Sequence, residues 1–150
     1  MSTAATTPAK DLTKQPPTSP RIRVGGYAIL ARMADKGRAF LAGVNGEYHF
    51  DCPLDNMLFG FKGVKGDDVK ALLVAGNSDS EIAAWIDTHG EPKTTTEIKE
   101  WSDGIEAYLP YSNPEKREWF VEQTKPLGLD AEKTSLFDWL EADDAASFKK

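Results

Sequence analysis

Two helix-start signals, 16 residues apart, constrain the fold of this 150-residue chain most strongly. The runs Ser78-Asp-Ser-Glu81 and Thr94-Thr-Thr-Glu97 both have the capping-box pattern, in which a hydroxyl and a glutamate satisfy free N–H groups of the first helical turn. Each run is followed by an isoleucine and then a tryptophan at the spacing of one helix face. The sequence therefore predicts two successive amphipathic helices.

Five further segments carry helix signals of the same kind. Their apolar residues recur with a period of about 3.6, and glycine or proline marks their ends. The predicted ranges are approximately 27–41, 53–61, 67–75, 113–124 and 134–146. The Asn45-Gly46 pair suits the positive φ angles of a type I′ turn and allows one short β-hairpin near it. The predicted fold class is therefore mainly α, a small single-domain helical bundle.

Residues 1–20 differ in composition from the rest of the chain. They contain four prolines together with serine and threonine, and they show no apolar period. We therefore expect a flexible N-terminal arm over residues 1–20 and a single helical domain over residues 21–150.

Inward and outward positions follow from the helical period. Trp85, Trp101 and Trp119 are expected to be buried on a common core. The charged residues of the first helix are expected on the side opposite its apolar face. The acidic end of the last helix, which includes Asp144, is expected to be solvated.

Net charge limits the classes of partner. The chain carries a formal charge of −6, and because residues 1–24 contain four basic residues and one acidic residue, the remainder carries −9. Nucleic-acid binding needs clustered lysine and arginine, so it is not expected. The apolar runs are too short for a membrane span. One cysteine excludes an internal disulfide, and with no secretory signal the predicted location is cytoplasmic.

Cys52 is the leading candidate for chemistry. Pro53 suits the first position of a helix, so Cys52 falls at the N-cap, where the helix dipole and free N–H groups stabilise a thiolate. His49 could act as its base, and Asp51 completes this candidate catalytic group. Asp51 and Asp55 oppose a thiolate, however, and the alternative for Cys52 is a small buried apolar residue. The spacing matches no zinc-ligand pattern, so neither a metal nor a cofactor is predicted.

A second candidate site is electrostatic. Gly25 and Gly26 let backbone N–H groups approach an anion, and they follow Arg23 at the start of a helix. Arg32 and Lys36 project from that same helix. These five residues are the predicted anion-binding group. The alternative is a solvated helix face that pairs with the acidic body of the protein.

Two segments resemble a known family. They are DLTKQPPTSPRIRVGGYAILARMADKGRAFLAGVNGEYHFDCPLD and TEIKEWSDGIEAYLPYSNPEKREWF. Both are similar to an uncharacterised bacterial family of unknown function, numbered five-zero-six-nine, over about residues 11–148. The resemblance implies a single domain that includes the arm. It implies no activity and assigns no catalytic residue.

Three functions remain open on this sequence. The leading interpretation is a cytoplasmic binding or regulatory module that recognises a small anionic ligand or a protein partner through the region 23–55. One alternative is an enzyme that uses Cys52 and His49, although no familiar catalytic motif is present. The other is a structural subunit of a larger assembly. The sequence does not predict the oligomeric state.

Overall fold

The computed structural model describes residues 7–148. Within that range seven α-helices and two short 3-10 turns, Pro110–Ser112 and Lys125–Leu127, follow one another without a β-strand. The helices are α1 Leu30–Leu41, α2 Pro53–Lys62, α3 Gly66–Val74, α4 Asp79–Thr88, α5 Thr95–Glu106, α6 Pro114–Thr124 and α7 Leu136–Ser147. The predicted fold class, mainly α, is confirmed. None of the helices between residues 7 and 148 combines the length and the apolarity that crossing a membrane requires.

Both predicted capping boxes form. The Ser78 hydroxyl accepts from the backbone N–H of Glu81 at 3.2 Å, and the Glu81 carboxylate accepts from the backbone N–H of Ser78 at 2.8 Å. Thr94 and Glu97 make the same reciprocal pair at 3.0 and 2.9 Å. α4 and α5 therefore begin where local sequence alone places them.

α1 begins three residues later than the sequence predicts. Ile29, the residue before it, has a φ of 75°, a left-handed conformation that an isoleucine rarely adopts. Its N–H donates to the carbonyl of Pro20 at 2.8 Å instead of continuing a helix backwards. Val24 and Tyr27 form an isolated antiparallel bridge in the preceding loop. A tertiary contact with the arm therefore sets the start of α1.

The hairpin allowed near Asn45-Gly46 does not form. The backbone N–H of Tyr48 donates to the carbonyl of Asn45 at 3.0 Å, so Gly46 and Glu47 are the central residues of the turn. A type I′ turn needs positive φ at both central residues, and here only Gly46 has it. The carbonyl of Val44 accepts from the backbone N–H of Leu12, in the arm, at 2.8 Å.

α1 lies at the centre of the protein. Every residue from 30 to 39 is buried, whereas a surface helix would expose one face. Its apolar side packs on core residues of α2, α3 and α4, among them Leu58, Val69 and Ile82. Its charged side is covered by the arm, α2, α4 and α7. The interpretation of this side as a solvated face is therefore wrong.

The predicted arm is described from residue 7 onward. Leu12 is only 1% exposed, and the backbone N–H and hydroxyl of Thr18 both donate to Asp35 Oδ2 of α1, at 2.8 and 2.6 Å. Ser19 donates to Glu141 of α7 at 2.6 Å. The arm thus joins α1 to α7. Its flexibility in solution stays a prediction, and residues 1–6 lie outside the described range.

The tryptophans occupy different depths. Trp85 and Trp101 are partly buried and pack against the core, and Trp101 stacks on Phe61 with ring centroids 4.8 Å apart. Trp119 is 43% exposed, so its predicted burial is wrong. α6 buries only Phe120 and Thr124, which lie four residues apart on one helix face, so the adjacent Trp119 lies off that face.

These depths predict different costs of truncation. Trp101→Ala should lower the free energy of unfolding by about 3 kcal/mol, because it removes a large aromatic from a packed position. Trp119→Ala, the matched control, should cost only about 1 kcal/mol, the value of its edge-on aromatic contacts. Urea denaturation of both variants measures the difference. Equal losses would show that Trp101 is not part of the core.

Candidate functional site

A cavity of about 670 Å³ opens between the arm, α1, the segment 46–52 and α7. Four residues singled out in the sequence line it together: Arg32, Lys36, His49 and Cys52. Small-molecule pockets in proteins commonly measure about 300–1,000 Å³, so the volume suits a metabolite-sized ligand. This cavity is therefore the candidate site.

Lys36 and Cys52 are in direct contact at the wall of the cavity. Cys52 occupies the N-cap of α2, with Pro53 at the first helical position, as the sequence predicts. Lys36 Nζ donates a hydrogen bond to Cys52 Sγ at 3.1 Å. A cation and a helix N-terminus beside a sulfur are features of reactive cysteines. The polar environment also argues against a purely apolar role for Cys52.

Asp55 provides the counter-charge to Lys36. Lys36 Nζ lies 2.9 Å from Asp55 Oδ1, and the two side chains are 4% and 0% exposed. The two groups therefore form a buried ion pair. Asp55 Oδ2 accepts from the backbone N–H of Asp51 at 2.9 Å. Burial raises the pKa of Asp55 above its usual value, although the attraction of Lys36 opposes the rise.

Arg32 is held in a closed cluster. Its two terminal nitrogens bind the two oxygens of Asp144, on α7, at 2.8 and 3.1 Å. The hydroxyl of Tyr48 donates to the same carboxylate at 2.8 Å, and Arg32 lies over the Tyr48 ring. Burial, and then the hydrogen bond to Asp144, raises the pKa of Tyr48. The guanidinium is therefore already neutralised where it lines the cavity.

His49, Glu47 and Asp143 complete the polar lining. His49 is exposed, and its side chain makes no hydrogen bond within residues 7–148, so it is not joined to Cys52. Glu47 and Asp143 bring negative charge to the same cavity. Partial burial, followed by the neighbouring carboxylate of Asp144, raises the pKa of Asp143.

Four apolar side chains also line the cavity and are here called its apolar wall. Leu54 comes from the first turn of α2, Trp139 and Leu140 from α7, and Phe148 from the residue after α7. All four are partly exposed. The cavity therefore offers accessible apolar surface in addition to the polar groups of α1.

The structure places the other predicted anion-binding residues elsewhere. Arg23 pairs with Asp103 and Glu106 of α5, at 2.8 and 3.3 Å. Gly25 and Gly26 have positive φ and pack closely on α4 and α5; a Cβ on Gly25 would lie 2.8 Å from a side-chain carbon. This packing alone explains the glycine pair. Anion binding by these three residues stays a prediction, and they do not line the cavity.

The side chain of Asp51 makes a structural hydrogen bond. It has a φ of 61°, and its carboxylate accepts from the side-chain amide of Asn56 at 2.9 Å. It does not line the cavity with Cys52 and His49. Across residues 7–148, no three histidine, cysteine, aspartate or glutamate side chains converge in a way that could hold a metal ion.

Most of the chain matches a known protein family. The family described as Domain of unknown function (DUF5069) matches residues 14–146. The chain belongs to this family. The DUF5069 match spans α1 to α6 and nearly all of α7, and it includes residues 14–20 of the arm, among them Thr18, which contacts α1. No curated protein matches the chain.

Within this DUF5069 domain, α7 contributes site residues that the sequence analysis missed. The expectation of a solvated helix end is wrong for Asp144, which is 6% exposed and paired with Arg32. A signal was present, because Asp144 continues the stripe of Leu136 and Leu140 at intervals of four residues. A carboxylate on an apolar stripe indicates a buried partner.

The Lys36–Asp55 pair predicts a pH-dependent variant. Lys36→Met should lower the free energy of unfolding by about 3–5 kcal/mol at pH 7, because it leaves Asp55 buried without a counter-charge. Removal of the Lys36 ammonium raises the pKa of Asp55 further, so the folded state binds the carboxyl proton more tightly. The loss should therefore shrink as pH falls towards the pKa of an aspartate in the unfolded chain, about 3.9, and disappear below it, where the carboxyl is protonated in both states.

The double variant Lys36→Met/Asp55→Leu is the matched control. It removes both charges together, so it should recover most of the stability that the single variant loses. Urea denaturation at pH 7 and pH 4.5 measures all three proteins. Additive losses, or a Lys36→Met loss that does not change with pH, would rule out the buried pair.

Proposed function

We propose that this domain is a binding module for a small anionic ligand, and that the cavity between α1, segment 46–52 and α7 is its binding site. The observation that carries the proposal is the convergence of Lys36, His49 and Cys52 on one cavity of about 670 Å³. Lys36 comes from α1, whereas His49 and Cys52 come from the segment 46–52, and the fold brings them to the same cavity.

Two donors support the anionic character of the ligand. An ammonium carries three hydrogens, and Lys36 has two partners in the protein, Cys52 and Asp55. One hydrogen is therefore left for an acceptor in the cavity. His49 is exposed and presents a further ring N–H. A carboxylate or phosphate oxygen between the two would receive charge-assisted hydrogen bonds.

Substitution of His49 tests the proposal. The protein is titrated with inorganic phosphate, succinate and 3-phenylpropionate, and backbone amide signals are followed by NMR. At least one anion should shift the signals of residues 46–52 and α7. His49→Ala should weaken that binding about fivefold, the value of one hydrogen bond.

His89→Ala is the matched control. His89 is the only other histidine, and it stacks on Trp85 at the end of α4. This variant should bind as the unmodified protein does. If none of the three anions shifts the cavity signals, or if both variants weaken binding equally, the proposal fails.

Nucleophilic catalysis by Cys52 is the second candidate function. The contact from Lys36 to Cys52 Sγ at the N-terminus of α2 favours it. The lack of a hydrogen bond from His49 leaves the thiol without the base that the sequence suggested. A rate of alkylation by iodoacetamide well above that of a free thiol would favour the enzyme over the binding module.

A further inference from the structure

We infer that the ligand of this cavity is a monocarboxylic acid with an apolar body. The inference rests on the proposed function, since it takes the anion site as given and specifies what else the ligand must carry. Three features of the cavity lead to this inference: the small number of cationic or N–H donor side chains that can approach an anion, the carboxylates in its lining and its apolar wall.

The first feature is that the cavity can neutralise little negative charge. Arg32 binds Asp144 through two nitrogens, so its charge is already neutralised by that carboxylate. Lys36 is shared with Asp55 and Cys52. Among residues 7–148, only Lys36 and His49 of the lining remain to approach an anion, and Lys36 is already half of an ion pair. The part of the lining that the structure describes therefore suits one carboxylate better than a dianion.

The second feature is the acidic edge. Glu47 and Asp143 line the same cavity as Lys36 and His49. A second negative charge on the ligand would be repelled by these carboxylates, and no further cation from residues 7–148 lines the cavity to offset them. Inorganic phosphate and dicarboxylates are therefore disfavoured relative to a single carboxylate.

The third feature is the wall formed by Leu54, Trp139, Leu140 and Phe148. Trp139 is held in place from the side away from solvent, because Phe120 packs edge-on against it with centroids 6.0 Å apart. The Trp139 ring is therefore preorganised, and burying an apolar body on the wall removes water from carbon surface on both sides. A carboxylate without such a body would leave this wall wet.

A matched set of four compounds tests the inference by NMR titration of the full chain. The set is 3-phenylpropionate, 3-phenylpropanol, succinate and inorganic phosphate. We expect 3-phenylpropionate to bind at least about tenfold more tightly than each of the others, because it alone combines one charge with an apolar body. Its binding should shift signals of both segment 46–52 and α7.

Two variants separate the contributions. Phe148→Ala, at a residue beyond the end of α7, should weaken 3-phenylpropionate and leave phosphate unchanged. The double variant Glu47→Gln/Asp143→Asn should strengthen succinate and phosphate more than 3-phenylpropionate. The opposite ranking in either variant overturns the inference.

The outcomes distinguish this inference from the proposed function. If succinate or phosphate binds the cavity as tightly as 3-phenylpropionate, the inference is wrong and anion binding stands. If 3-phenylpropanol binds as tightly, charge is not recognised, and both are wrong. If none of the four compounds binds, both are also wrong.

Discussion

The burial of charge on α1 determines how the rest of this protein is arranged. Arg32, Asp35, Lys36 and Arg38 all lie on the central helix, and each is 7% exposed or less. An unpaired charge in such a position costs several kcal/mol, so each needs a partner. The partners come from α7, the arm, α2 and α4 in turn. Four segments are thereby fixed relative to one helix.

The candidate site is a consequence of this arrangement. Asp144 of α7 pairs with Arg32 of α1, and Asp55 at the start of α2 pairs with Lys36, one turn further along α1. The segment 46–52 spans the interval between them, and the cavity opens beneath it. The same pairs that stabilise the fold also consume most of the positive charge at the site. A ligand therefore meets a weakly cationic spot beside an apolar wall, which is the basis of both proposals.

Local signals predicted most of the fold, and distant partners account for what was missed. The capping boxes at Ser78 and Thr94 are complete within four residues, so sequence alone places α4 and α5. Arg32 and Asp144 are separated by 112 positions, and no local pattern indicates that they meet. The same distinction between local signals and distant partners applies to the candidate site. Cys52 at a helix N-cap follows from Pro53, whereas the α7 wall depends on tertiary packing.

The reactivity of individual lysines towards acetic anhydride tests most directly whether the charged side of α1 is buried. Both lysines are ion-paired, but the side chain of Lys36 is 4% exposed, whereas that of Lys99, on the surface of α5, is 70% exposed. Mass spectrometry of the native protein should find Lys99 acetylated rapidly and Lys36, which a reagent can approach only through the cavity, acetylated much more slowly, and unfolding in urea should remove the difference. Acetylation of both lysines at the same rate in the native protein would contradict the account, because α1 would then present its charges to water.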